Sequence, residues 1–319
     1  MKILISTASF GDCSDKPFSL LKENDIEYNL NPYNRKMSED EIYSLIPEYD
    51  ILIAGTEKLS KKVLENAKNL KLISRVGVGL DNIDLEYAKK NNIKVSYTPT
   101  APSFSVAELS LTLILSLLRN VQISNLKLHA GIWHRELGRS LSELSVGVIG
   151  AGRIGKELIK LLSVLDTKEI LVNDIKRPKT FLQNKQLRYV NFEDLLKKSD
   201  IISIHLPLNK KTRNLFSKNV LLKMKKNAIL INTSRGGIIN EKDLYEVLQD
   251  DHLSGVGLDV FENEPYFGKL SEIDRALLTA HLGPMSFLSR SEMESQATEE
   301  AIRFIKGEDL LNLIPTNSY

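Results

Sequence analysis

Short runs of aliphatic and β-branched residues alternate along this chain with segments whose apolar positions recur at helical spacing. In the first part the runs are KILIS (2–6), IEYNL (26–30), DILIAG (50–55), KLISRV (71–76) and IKVSY (93–97). Between them, SEDEIYSLI (38–46) and KKVLENAKNL (61–70) read as amphipathic helices. A second series comprises LSVGVIG (144–150), EILVND (169–174), DIISIHL (200–206), NAILINT (227–233), SGVGLDV (254–260) and ALLTAH (276–281). Strands alternating with helices predict parallel sheets covered on both faces. Two such series predict an α/β chain of two doubly wound domains.

The turn-forming stretch TPTAPS places the boundary near Pro99 to Pro102. A long helix should follow, with Ser103 or Ser105 as N-cap and Glu108 in its first turn. Its LSLTLILSLL segment (109–118) is apolar almost all round, which suits a helix buried between domains or between subunits. It is too short for the roughly 20 apolar residues of a membrane span. The opening MKILISTASF has too brief an apolar run for a signal peptide. The expectation is a chain with no membrane segment and no leader. One last helical pattern, SEMESQATEEAIRFIKGE (291–308), could pack on either domain.

With 319 residues the chain can bury a full core without staples. Lys plus Arg number 43 against 41 acids, a net charge of +2, which leaves no electrostatic footprint for nucleic acid. The single cysteine, Cys13, excludes a disulfide framework and a cysteine-based metal site, and points to the cytoplasm.

The sharpest local signal is Gly150-Ala151-Gly152-Arg153-Ile154-Gly155. Alone, a GxGxxG is weak, because glycines in such turns often serve packing only. Here it ends a predicted strand and opens a predicted helix, and the next strand ends in Asp174, about twenty residues on. Gly150 allows the tight turn, Gly152 the approach of a pyrophosphate, and Gly155 close helix–strand packing. The phosphates rest on the helix N-terminus. Asp174 would accept from ribose hydroxyls and repel a 2′-phosphate, which favours NAD over NADP, although Lys176 and Arg177 stand beside it.

Three consecutive strands of the second series end in polar residues: Ser234-Arg235-Gly236-Gly237, Asp259 followed by Glu262 and Glu264, and His281. Ligands of open parallel sheets bind beyond such ends. Singly, Arg235 could be a surface ion-pair residue, His281 a satisfied buried histidine and Glu264 a solvated loop acid. Together they fit hydride transfer at C2 of a 2-hydroxy or 2-oxo acid. A guanidinium binds a carboxylate through paired donors. Histidine exchanges a proton near neutral pH. A neighbouring carboxylate fixes its tautomer and favours its protonated form.

The motifs RVGVGLDNID (75–84), SVAEL (105–109), GVIGAGRIG (147–155), HLPL (205–208), NTSRGGIIN (232–240), LDVFENEP (258–265) and AHLG (280–283) resemble those of the D-2-hydroxyacid dehydrogenase family over nearly the whole chain. The resemblance implies a Rossmann dinucleotide-binding domain over 100–287 and a flavodoxin-like substrate domain built from 1–99 and 288–319. It implies catalytic roles for Arg235, Glu264 and His281, and a contact of Asp259 with the nicotinamide amide. It further implies cofactor contacts from Arg153, Ile154, His205, Pro207 and Thr233, and a homodimer joined through the cofactor domain, which suits the apolar helix at 105–118. Glu264 speaks against a formate dehydrogenase, known for glutamine in that role.

RVGVG also has its own physical reading. Its glycines permit backbone N–H groups to converge in an anion nest, so Val76, Gly77 and Val78 are expected to bind the substrate carboxylate together with Arg235. The plain alternative is a tight turn with Asp81 and Asn82 capping the next helix, Asn82 and Asp84 having no other role. Pro102, Ala280 and Pro284-Met285 depart from the family pattern and bear on the hinge and the pocket. Where many phosphoglycerate dehydrogenases carry an arginine after the third strand, this chain reads Ala54-Gly55-Thr56-Glu57-Lys58, so Lys58 or Arg35 would have to reach a substrate phosphate. Ending at Tyr319, the chain is expected to carry no appended regulatory domain. The substrate expectation is 3-phosphoglycerate, with glyoxylate or hydroxypyruvate as the alternative. A weakly active NAD-sensing protein of the same fold is a further reading, against which the intact Arg235, Glu264 and His281 set speaks. A methyltransferase-type fold would leave Arg235 and His281 unexplained.

Overall fold

The computed structural model describes residues 1–177 and 186–315, so residues 316–319 of the expected C-terminal stretch lie outside the described residues. The chain divides into two compact units, residues 1–102 with 284–319, and residues 103–283.

The first unit holds β1 (Ile3–Ile5), β2 (Tyr28–Leu30), β3 (Ile51–Ala54), β4 (Leu72–Arg75) and β5 (Lys94–Ser96), in the order β2-β1-β3-β4-β5 with every pair parallel. This is the flavodoxin-like order, whose switch point lies between β1 and β3. The inner strands are buried along their whole length, which is why they read as unbroken apolar runs. The connecting helices are α1 (Lys16–Glu23), α2 (Glu39–Leu45), α3 (Lys61–Asn66) and α4 (Leu85–Lys90). Ser38 and Glu41 form a reciprocal capping box at the start of α2. Asp84 caps α4 by accepting the Tyr87 N–H at 2.9 Å. Asn82 does not cap; its Nδ2 donates to the Glu57 carbonyl at 2.7 Å and ties two loops together. Glu57 is itself buried, and its Oε1 accepts from the Ser6 hydroxyl and from the Gly55 N–H (3.0 Å), bridging the ends of β1 and β3.

The last helix, α11 (Phe287–Lys306), belongs to this first unit. Met293, Ala297 and Ala301, four residues apart, join Ile3, Ile5 and Ile53 in one apolar cluster. The helix starts ahead of the periodic pattern because Ser286 caps it, while Phe287 and Leu288 are exposed and add no periodicity. Gly307 ends it in the left-handed conformation.

The second unit is a seven-stranded parallel sheet in the order β12-β11-β10-β9-β6-β7-β8. Its strands are β6 (Ser145–Ile149), β7 (Glu169–Asn173), β8 (Leu187–Tyr189), β9 (Ile201–Ile204), β10 (Ala228–Asn232), β11 (Leu253–Leu258) and β12 (Ala276–Leu278). Three residues with one buried leucine gave β8 no legible signal. The order reverses between β6 and β9, the switch point of a dinucleotide-binding fold. Its helices are α5 (Ser103–Leu118), α6 (Val121–His129), α7 (Arg153–Val164), α8 (Phe192–Lys198), α9 (Lys218–Leu221) and α10 (Glu241–Gln249).

The buried face of the apolar helix α5 packs within its own unit. Leu113, Ile114, Leu117 and Leu118 join Leu158 and Ile159 of α7, and Val146 and Ile231 of the sheet, in a single cluster within the unit. Gly257 lets α5 approach β11: a Cβ there would lie 3.1 Å from that of Leu113. The exposed apolar surface comes afterwards. No residue of α6 is buried, and Trp133 (80% exposed) and Leu137 (100%) follow it. Among the described residues no single helix is long and apolar enough to cross a membrane.

Candidate active site

The glycine loop sits at the switch point. Gly150 has φ +91° and donates to the Asn173 carbonyl at 2.9 Å. A Cβ on Gly150 would overlap the His205 carbonyl, and one on Gly155 would overlap the Gly150 carbonyl. These two glycines are therefore required by packing. Around Gly152, by contrast, nothing lies within 4 Å of a Cβ position. Gly152 and Arg153 are exposed and Ile154 rests against the core. The open space lies at the start of α7, where unsatisfied N–H groups and the helix dipole favour an anion.

Asp174 follows β7 and is braced against the loop. Its Oδ2 accepts the Ala151 N–H at 2.6 Å and its Oδ1 the Lys176 N–H at 2.7 Å. A carboxylate oxygen has room for a second donor, so both remain able to accept from a ribose hydroxyl. His205 follows β9, with Nε2 2.9 Å from the Ser203 hydroxyl. Its Nδ1 is buried with no partner among the described residues, and burial lowers its pKa to about 4, which keeps the ring neutral. Pro207 is exposed. An open cradle, a facing carboxylate and a buried ring nitrogen lacking a partner fit a dinucleotide. Thr233, the expected cofactor contact, is buried, with its hydroxyl 2.7 Å from that of Ser110 on α5.

Arg235, Glu264 and His281 follow three neighbouring strands, β10, β11 and β12. The turn carrying Arg235 is closed by Asn232, whose Oδ1 accepts the Ser234 N–H (3.1 Å) and hydroxyl (2.7 Å) and whose Nδ2 donates to the Arg235 carbonyl (2.9 Å). The guanidinium donates through Nη1 to the Ser234 carbonyl at 2.6 Å. A Cβ on Gly236 would overlap the Phe261 carbonyl, so this turn lies directly on the segment that carries Glu264. Glu264 accepts the Phe261 N–H through Oε1 (3.1 Å) and faces Nδ1 of His281 through Oε2 (2.9 Å).

Asp259 follows β11 and lies inside the unit. It is fully buried, with Oδ1 accepting from the Thr279 hydroxyl (2.6 Å) and the Leu282 N–H (2.6 Å), and Oδ2 from the Gly283 N–H (2.8 Å). Burial pushes its carboxyl pKa up, while these three donors act against that rise. Its carbonyl also accepts the His281 N–H at 3.0 Å. His281 has φ +54°, a left-handed conformation that costs a non-glycine residue about 1–3 kcal/mol unless the surroundings hold it. Asp259 thus supports the His281 turn. Sequence reasoning passed over Asn232 as a site residue; an asparagine ending a strand before Thr-Ser-Arg is the signal of a side-chain-closed turn.

In the first unit the anion nest is narrower than expected. The Val76 N–H extends the ladder to the Ala54 carbonyl (2.9 Å), and the Gly77 N–H donates to the Thr98 hydroxyl (2.8 Å), so two of the three amides are already engaged. Arg35 forks onto Glu41 (2.9 and 2.6 Å), and Lys58 pairs with Glu39 at 2.8 Å.

A phosphate cradle at a switch point, with an acid–base pair farther along the same sheet, is the architecture of a nicotinamide-dependent dehydrogenase. Comparison supplies the particular family: residues 111–283 match the model described as D-isomer specific 2-hydroxyacid dehydrogenase, NAD binding domain, and the chain belongs to this family. It is 37% identical to a hydroxypyruvate reductase of Thermotoga maritima, covering 85% of this chain and 89% of that protein. It is 35% identical to a D-3-phosphoglycerate dehydrogenase of Methanocaldococcus jannaschii, covering 87% of this chain but 54% of that one. Among solved structures it is similar to a D-lactate dehydrogenase of Aquifex aeolicus complexed with NAD and lactic acid (TM-score 0.87, 26% identity, 98% and 99% covered). The protein is an NAD-dependent 2-hydroxyacid dehydrogenase.

Proposed function

We propose that the substrate is a small unphosphorylated 2-oxo acid, with hydroxypyruvate as its type, and that Arg235, Glu264 and His281 carry the reaction. The observation that carries this reading is the 2.9 Å contact between His281 Nδ1 and Glu264, beside the strand end that delivers Arg235. The Arg235 guanidinium binds the substrate carboxylate through paired donors and polarises the adjoining carbonyl. With Nδ1 held by Glu264, Nε2 of His281 gives a proton to the C2 oxygen in reduction and recovers it in oxidation. The α7 N-terminus holds the pyrophosphate of NAD, and Asp174 its ribose. NAD, when bound, supplies the hydride chemistry.

Two observations favour a substrate without phosphate. Arg35 and Lys58 already meet the carboxylates of Glu41 and Glu39. The chain is also 37% identical to the hydroxypyruvate reductase, against 35% to the phosphoglycerate dehydrogenase. The test is NADH oxidation with glyoxylate, hydroxypyruvate and phosphohydroxypyruvate. The expected kcat/KM for one of the first two exceeds that for the third by about tenfold or more. The reverse order would move the protein to the phosphorylated class.

The exposed apolar residues from Val121 to Leu137 support a homodimer formed through this arm of the cofactor unit. The single cysteine, Cys13, supports a cytoplasmic setting.

A further inference from the structure

We infer that Asn232 is a positioning residue that fixes Arg235 and couples it to the support of His281. The inference rests on the catalytic reading of those two residues. Asn232 is 2% exposed, at the last position of β10. A buried amide is costly unless its polar groups are bonded, and here both ends are used. The Oδ1 takes two donors from Ser234. An ordinary side-chain-closed turn needs no more than that. The Nδ2, however, donates to the carbonyl of Arg235 itself at 2.9 Å, which closes the turn from its far side and sets where the arginine leaves the backbone.

The same residue reaches the histidine. Its main-chain carbonyl accepts the Asp259 N–H at 3.0 Å, and Asp259 bonds Thr279, His281, Leu282 and Gly283. One buried asparagine therefore stands between the turn presenting the guanidinium and the turn presenting the imidazole. Gly236, seated on the Phe261 carbonyl, closes the opposite side of this frame.

Asn232→Asp keeps the acceptor for Ser234 and removes the donor to Arg235. With the full chain and whichever 2-oxo acid it turns over best, the variant is expected to raise KM about tenfold or more with kcat changed less, while the NADH Kd from fluorescence titration stays within about twofold. In an Arg235→Lys background the same change is expected to alter KM by less than about twofold, because effects acting through one group are not additive. A purely structural role would lower activity and NADH binding together, and equally in both backgrounds; that result, or an unchanged KM, overturns the inference. Should Asn232→Asp not fold, Ser234→Ala, which removes one of the two donors to Oδ1, is expected to raise KM in the same selective way, and an unchanged KM there overturns it as well. A wild-type chain inactive on every 2-oxo acid would remove the catalytic reading and this inference with it. An active wild type with an indifferent Asn232→Asp removes this inference alone.

Discussion

Glu264 holds two things at once: Oε2 lies 2.9 Å from Nδ1 of His281, and Oε1 accepts the Phe261 N–H of its own loop at 3.1 Å. The ring is thereby fixed with Nε2 as the nitrogen left for proton exchange. His281→Ala should lower kcat by about two to four orders of magnitude, the usual share of a placed acid–base group, with NADH affinity retained. Glu264→Gln, which keeps the shape and loses the charge, should lower kcat less. Steady-state kinetics with titrated NADH binding check both, and wild-type turnover in His281→Ala would take the histidine out of the mechanism.

The glycines of the loop should separate by function. Gly155→Ala places a Cβ against the Gly150 carbonyl, and a loss of folded protein or a large fall in Tm is expected. Gly152→Ala meets open space, so its Tm should stay close to wild type while NADH affinity drops. Thermal unfolding and NADH titration of the pair decide it: equal losses of stability would mean that the cradle at Gly152 serves packing.

His205 makes a prediction about acid. Burial lowers its pKa from 6.5 to about 4, so between these values the unfolded chain binds a proton that the folded chain refuses. Stability from this group is present above about pH 6.5 and is lost as the pH falls toward 4. His205→Gln should flatten that part of the stability–pH curve, measured by denaturant unfolding at several pH values. A curve as steep as wild type would assign the acid sensitivity elsewhere.

The arm after α5 predicts self-association. Trp133 and Leu137 are 80% and 100% exposed, far beyond what isolated surface residues need. Sedimentation should find a dimer for the wild type and a shift toward monomer for Trp133→Glu combined with Leu137→Ser. A wild-type monomer at micromolar concentration would refute the arm as an interface.

What could be read from the residues, and what could not, divides on physical grounds. The strands of both sheets apart from β8, and the glycine loop, were legible because period, burial and turn chemistry all act over a few neighbouring residues. The side-chain contacts of Asp259 and Thr233 were not, because each depends on a partner far along the chain: Gly283 and Ser110 respectively. Val76 and Gly77 looked like free donors because the sequence does not reveal that Ala54 and Thr98 already receive their N–H groups. The helix α5 was legible only in part. Its apolar surface announced burial, but not that β11 would offer glycines for it to lie upon.

The two sheets share a design principle yet treat their switch points oppositely, and Glu57 explains the difference. At the end of β6 the backbone leaves open space around Gly152, at the start of α7. Between β1 and β3 the corresponding crevice is plugged by a side chain of the protein's own, whose Oε1 already takes the Ser6 hydroxyl and the Gly55 amide. Phosphate oxygens arriving there would find acceptors where they need donors. An engineer wishing to turn the first unit into a second nucleotide holder would have to pull that stopper before adding anything else.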